Sequence, residues 1–254
     1  MDTRNERDGY VARTAPAQTM EAVVFDEYGA ADVLRLARLP RPSPGRGEVR
    51  VRVRAAGVKP AHCATRSGWF AQRGIGMAPF PRQLGNEFAG VIDAIGEGVT
   101  SLVVGDEVLG WTNANAYAEA VVVPIGQLVL KPVMMSWAVA GALSASGQTA
   151  HTAVEALSIE RGDTVLVHGA AGGVGTMAVQ LARLRGAHVI GTASRENHDY
   201  LRALGADPVQ YGPGLAERVR AIAPHGVDTA LDGSGRGALD ASIELGIDPS
   251  RIGT

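Results

Sequence analysis

A single cysteine, Cys63, stands in a chain of 254 residues. One thiol excludes an internal disulfide and any zinc cluster built from thiolates, and it fits a chain kept in a reducing compartment, the cytoplasm. Lysine is almost missing too: Lys59 and Lys131 are the only two, and arginine carries the rest of the positive charge. That bias, with abundant Ala and Gly, fits GC-rich coding rather than a function. Neither sign of charge dominates, and a net charge of −2 gives no electrostatic basis for holding nucleic acid or an anionic membrane. No apolar run has the length that crosses a bilayer. Residues 1–19 are polar and lack an apolar segment of signal-peptide length, so they read as a disordered tail with the fold beginning near Met20.

The remaining composition is that of a globular protein. Hydrophobic residues at 46% against 20% charged supply a sizeable core, and the length suits one large domain or two ordinary ones. Two halves differ in pattern, with limits at 20–135 and 136–254. The first consists of short β-like runs separated by glycine and proline. In "EVRVRVRAAG", Val49, Val51 and Val53 point one way and Arg50, Arg52 and Arg54 the other, as in a half-buried strand with a solvated arginine face. Further strands are expected at Glu21–Phe25, Phe88–Ile95, Glu107–Trp111, Ala118–Val123 and Leu128–Lys131. The second half alternates: a helical region over Ser136–Leu157, the strand "TVLVH", a helix to Arg185, the strand His188–Thr192, a helix over Asn197–Leu204, a short strand at Pro208–Tyr211, a helix over Leu215–Ala223 and the strand "DTALDG". Such alternation implies a parallel sheet with right-handed crossovers, making the fold α/β.

Between "TVLVH" and "MAVQLARLRG" lies "GAAGGVG", Gly169 to Gly175. Strand, glycine-rich turn and helix in that order form the setting of a dinucleotide site. Gly169 permits the tight turn, Gly172 and Gly173 lack Cβ atoms that would block a phosphate, and Gly175 allows close helix–strand packing. Val174 begins the apolar face of the helix. A pyrophosphate would sit on free N–H groups at the positive end of the helix dipole. An NAD site usually has Asp or Glu at the end of the next strand. Here that position is Thr192 or Ala193, followed by Ser194 and Arg195, with His198 one turn on. A hydroxyl and a guanidinium suit a 2′-phosphate, which selects NADPH.

The segments "AVVFDEYGAADVLRL", "PGRGEVRVRVRAAGVKPAH", "GNEFAGVIDAIGEGVTSLVVGDEVLGW", "YAEA" and "LVHGAAGGVGTMAVQLAR" follow one another from Met20 onward. Together they resemble the medium-chain dehydrogenase/reductase superfamily, in its zinc-free quinone oxidoreductase branch related to zeta-crystallin. The resemblance implies a GroES-like β-rich catalytic domain and a Rossmann domain with the active site in the cleft between them. Where zinc alcohol dehydrogenases carry a ligand Cys this chain has Lys59, and where they carry a ligand His it has Asn86. His62 and Cys63 are neighbours without further ligands and read as loop packing, so no metal is expected. The branch transfers hydride from NADPH to a quinone or to a carbon–carbon double bond conjugated to a carbonyl, and the developing oxyanion needs a donor.

No motif fixes that donor. Lys59, where the family commonly has Asn, either stabilises the oxyanion or faces solvent. The resemblance further implies Thr149 near the nicotinamide amide and Tyr211 beside the 2′-phosphate. Trp69, Phe70 and Trp111 are candidate walls of a substrate pocket or core residues. The family is often dimeric, which makes a homodimer the expected assembly. The chain stops at "PSRIGT", where the family begins its fifth Rossmann strand; a sixth strand and a segment returning to the β domain would follow. An incomplete Rossmann sheet is therefore expected, and with it a second reading: a catalytically impaired NADPH-binding remnant or sensor.

Overall fold

The computed structural model describes residues 18–254 apart from Met77 and Arg236. Most of the expected N-terminal tail lies outside the described residues, and Thr19 already belongs to a strand. The chain divides into two compact units, the first ending at Ala142 and the second running from Leu143 to Thr254.

The first unit holds two antiparallel sheets. Strands β1 (Thr19–Phe25), β2 (Arg35–Pro40) and β4 (Arg82–Gln83) form one, in the order β2-β1-β4. The other contains β3 (Glu48–Ala56), β5 (Glu87–Ile95), β6 (Glu107–Trp111), β7 (Ala120–Pro124) and β8 (Leu128–Leu130), ordered β7-β3-β5-β6-β8. Val49 and Val51 are fully buried with Phe88, Ile92, Val108 and Val121, as the alternation along β3 requires. The arginine face is less solvated than the alternation implies. Arg50 Nε lies 2.7 Å from Asp93 Oδ1 on β5, and Arg41 holds the other oxygen of that carboxylate.

Strand β2 and helix α1 (Pro60–Arg66) are not among the elements expected from periodicity. Proline at the first position of α1 supplies a φ that suits a helix start and lacks only an N–H with no intrahelical partner. The expected helix over Ser136–Leu157 is two helices, α2 (Trp137–Gly141) and α3 (Ser144–Ala156). Helix α2 stays with the first unit because Gly141 packs on β3: a Cβ there would come within 2.6 Å of Ala55 Cβ and 2.8 Å of its carbonyl. Ala142 leaves the helical conformation as the C-cap of α2, which ends that helix.

The second unit is a parallel sheet of five strands, β9 (Thr164–His168), β10 (His188–Ala193), β11 (Asp207–Gln210), β12 (Thr229–Asp232) and β13 (Ile252–Gly253). Their order is β11-β10-β9-β12-β13, with every neighbouring pair parallel. Helices α4 (Gly173–Leu184), α5 (His198–Ala203), α6 (Leu215–Ile222) and α7 (Ala238–Glu244) connect them. Strand β9 is apolar from Val165 to Val167 because both of its faces are covered. Val165 and Val167 pack with Val154, Ala178, Val179 and Ala182 from α3 and α4. Leu166 points the other way, with Leu215, Val219 and Ile247. The edge at β13 is the strand that the family resemblance expects at this point of the chain.

Candidate functional site

The turn after β9 shows what each glycine is for. Gly169 sits at φ +68, a left-handed conformation that costs other residues more. Gly172 is the N-cap of α4, and a Cβ on it would meet only Gly169 O, at 3.2 Å. A Cβ on Gly173 would lie 2.8 Å from Ser146 Oγ on α3. At Gly175 it would lie 2.7 Å from Ala170 Cα and closer still to Gly169 O. Backbone meets backbone there, so the first turn of α4 can rest on the loop only with glycine. Val174 packs against the core beneath.

The loop opens onto a cavity of about 700 Å³ lined by Gly169, Gly172, Thr192, Ser194, Tyr211 and Ser234 among others. The structure thus brings the loop together with two of the four residues expected to hold a 2′-phosphate. Arg195 is exposed in the short 3-10 turn 195–197 beside that cavity, and His198 opens α5; neither lines it. Ser194 Oγ donates to Glu196 Oε1 at 2.9 Å and accepts from Asn197 Nδ2 at 3.0 Å. An acid that falls past the strand end in sequence is therefore folded back onto this corner. At the cavity's inner end, His168 closes β9 with Nε2 2.9 Å from Ser242 Oγ. Burial holds the His168 imidazole below its ordinary pKa, against the opposing pull of Asp232.

Thr149 lies elsewhere in the second unit. It is exposed on α3, its hydroxyl donates to Ala145 O at 2.8 Å, and it borders a groove beside the β13 edge with Gln148, Leu231 and Ile252.

A second cavity of about 280 Å³ lies wholly within the first unit, lined by His62, Phe70, Ile75, Leu84, Asn86 and Asn113 among others. Of the three aromatic candidates, Phe70 reaches it. Trp69 is 45% exposed and stacks under the Arg73 guanidinium at 3.7 Å. Trp111, at the end of β6, is half-buried and does not line it.

Lys59, expected to stabilise an oxyanion or to face solvent, is paired with an acid in the structure. It is the N-cap of α1, and its Nζ lies 3.0 Å from Oε1 of Glu87, whose side chain has no exposure. Gly57 makes room for that carboxylate, since a Cβ there would come within 2.8 Å of Glu87 Cδ. His62, read from sequence as loop packing, is buried and has a partner at each ring nitrogen. The ring is 8% exposed, with Nε2 3.1 Å from Asn86 Oδ1 and Nδ1 2.7 Å from Tyr117 OH. Burial lowers the His62 pKa, with the Asn86 hydrogen bond opposing, and burial pushes the Tyr117 phenol up to about 12. The one local signal for this cluster is His62 three residues after an N-cap with Pro60 between, a spacing that turns a side chain back onto the cap. Among the described residues, no three His, Cys, Asp or Glu side chains form a group that could hold a metal ion.

Residues 45–133 match the alcohol dehydrogenase GroES-like domain, and residues 173–246 match the zinc-binding dehydrogenase family. The chain is 35% identical over 222 residues to the synaptic vesicle membrane protein VAT-1 homolog of Rattus norvegicus, covering 85% of this chain and 54% of that protein. It spans about half the length of such curated relatives. The quinone oxidoreductase from Coxiella burnetii superposes with a TM-score of 0.78 at 31% identity, over 92% of this chain and 75% of that one. Escherichia coli quinone oxidoreductase complexed with NADPH superposes with a TM-score of 0.80 at 26% identity, over 90% and 70%.

Proposed function

This chain belongs to the medium-chain dehydrogenase/reductase superfamily, among its quinone oxidoreductase-like members, and from that premise we propose that it is an NADPH-dependent, metal-independent reductase of quinones or α,β-unsaturated carbonyls. The observation that carries the reading is the glycine loop. It presents the start of α4 to a cavity that also contains Ser194 and Tyr211, and Gly172 leaves open the space that a Cβ would fill. Backbone N–H groups at that helix start would take the pyrophosphate. Ser194 and Arg195 would take the 2′-phosphate, and Tyr211 would flank the adenosine. The bound nicotinamide supplies the hydride; the chain supplies orientation, exclusion of water and a hydrogen-bond donor for the acceptor's oxygen. Independence from metal is supported by Lys59 and Asn86, which stand where zinc-dependent relatives have ligands. The Lys59 ammonium beside Glu87 puts a positive charge where a divalent cation would be repelled.

The Glu196 carboxylate on Ser194 favours one second reading, NADH, because an acid at this corner suits a free 2′-hydroxyl. Fluorescence titration with NADPH and NADH, on the wild type and Arg195→Ala, separates the two. NADPH is expected to bind at least about 10-fold tighter, and the variant to lose that advantage, as for one charged hydrogen bond of about 1.5 kcal/mol. Equal affinities, or an unaffected variant, would overturn the phosphate assignment. NADPH consumption with quinones and alkenals tests turnover. Tight binding with no acceptor consumed would favour a non-catalytic nucleotide-binding protein.

A further inference from the structure

We infer that His62 is the neutral hydrogen-bond donor for the carbonyl oxygen of a compact substrate seated in the first unit's cavity. This rests on the reductase reading above for its chemistry, and on the first unit alone for its geometry.

The ring's protonation follows from its partners. Lys59 N–H lies 3.3 Å from Nδ1, and a backbone N–H can only donate. Nδ1 is therefore the unprotonated nitrogen, and in the neutral ring the proton is on Nε2. Tyr117 fits this assignment when its single hydroxyl proton goes to Nδ1 at 2.7 Å; with that proton on Gly57 O, 3.0 Å away, Nδ1 would itself have to donate to the phenol oxygen. Nε2–H then donates to Asn86 Oδ1 at 3.1 Å. Burial first, and the Lys59 charge after it, lower the ring's pKa and favour the neutral form, against the Asn86 hydrogen bond and the Glu87 charge. The result is a donor of one defined nitrogen, held in orientation from behind by the start of α1 and by Tyr117.

Both partners of the Nε2–H···O bond, His62 and Asn86, line the cavity, as do the apolar Phe70, Ile75 and Leu84. An acceptor oxygen arriving there meets an imidazole N–H and an amide beside these apolar walls, and Thr65, Arg82 and Asn113 are the other polar side chains of the lining. A neutral imidazole is well suited to an oxygen that gains negative charge during hydride addition. It strengthens its hydrogen bond as the charge develops and remains an N–H donor throughout. The space, about 280 Å³, is at the small end of ligand sites. It fits a one-ring quinone or a short enone.

Two measurements on the full chain test this. In steady-state assays with NADPH and cyclohex-2-enone or 1,4-benzoquinone, His62→Leu should lower kcat/KM by about 100-fold, the usual loss for one oxyanion donor. His62→Gln, whose amide nitrogen reaches the Nε2 position, should recover most of it, and NADPH affinity should stay within about 2-fold in both. A His62→Leu variant as active as wild type would overturn the inference while leaving the reductase reading intact. The second measurement needs no turnover and no variant. On 15N-histidine-labelled wild type, His62 should show a protonated Nε2 and a bare Nδ1 at neutral pH. Titration with cyclohexanone, which has no conjugated double bond to reduce, should move the Nε2 signal. The opposite tautomer, or a signal unmoved by the ketone, overturns the inference even if the enzyme reduces enones. If the wild type binds NADPH and reduces nothing, the reductase reading falls and the ketone titration still decides the role of His62.

Discussion

Replacing Gly175 and Gly172 by alanine, one at a time, separates the packing role of the loop from its ligand role. At Gly175 the new Cβ lies 2.7 Å from Ala170 Cα and 2.9 Å from its carbonyl carbon, while ordinary contact begins at 3.4 Å. Helix and turn must part there by more than that shortfall, because Gly169 O is closer still, and neither side has a rotamer to change. Overpacking costs about 1–3 kcal/mol, and backbone against backbone places this at the upper end. Alanine returns up to about 1 kcal/mol of helix propensity. The net loss is about 2 kcal/mol, or roughly 4–8 °C in Tm for a chain of this size. At Gly172 the Cβ meets one protein atom, at 3.2 Å, and the position lines the large cavity. Its stability cost is that of a poorer N-cap, under about 1 kcal/mol. NADPH affinity should nevertheless fall at least about 10-fold, because the methyl group enters the phosphate's place. Thermal melts without nucleotide and fluorescence titrations with NADPH read the two effects. If Gly172→Ala melts as low as Gly175→Ala, or leaves NADPH affinity unchanged, the division of labour argued for the loop is wrong.

Acidification should weaken the fold before the carboxylates titrate. Burial holds the pKa values of His62 and His168 below the ordinary histidine value, so between about pH 6.5 and the folded values the unfolded chain binds more protons. Their contribution is therefore complete above about pH 6.5 and lost as pH falls through the lower folded values. The urea midpoint should be lower at pH 5.5 than at pH 7.5, and equal midpoints would contradict the burial argument. For the Lys59–Glu87 pair, Lys59→Met takes the ammonium from a fully buried carboxylate. A loss near the lower end of about 3–5 kcal/mol is expected because Lys59 keeps some exposure, and Glu87→Gln in the same chain should restore most of it in urea unfolding. A neutral Lys59→Met would show that the pair is not what holds Glu87.

The amino-acid sequence by itself determined the β9–loop–α4 unit, because strand period, turn conformation and helix face are encoded within a few neighbouring residues; that Gly173 faces Ser146 of α3 came only from the fold. Alternating strands and helices likewise determined the parallel sheet, and ordered motifs the family. Tertiary structure alone decided which side chains meet. His62 reaches Asn86 and Tyr117 across 24 and 55 residues of chain. Their meeting depends on the register of β5 and on where the loop before β7 returns, neither of which local propensity encodes. The same holds for Lys59, which in sequence is a lone lysine before a proline and in the fold is the partner of a buried acid. Ser194 and Tyr211 converge on one cavity and Thr149 on another groove because pairing between strands, rather than spacing along the chain, sets where each element ends.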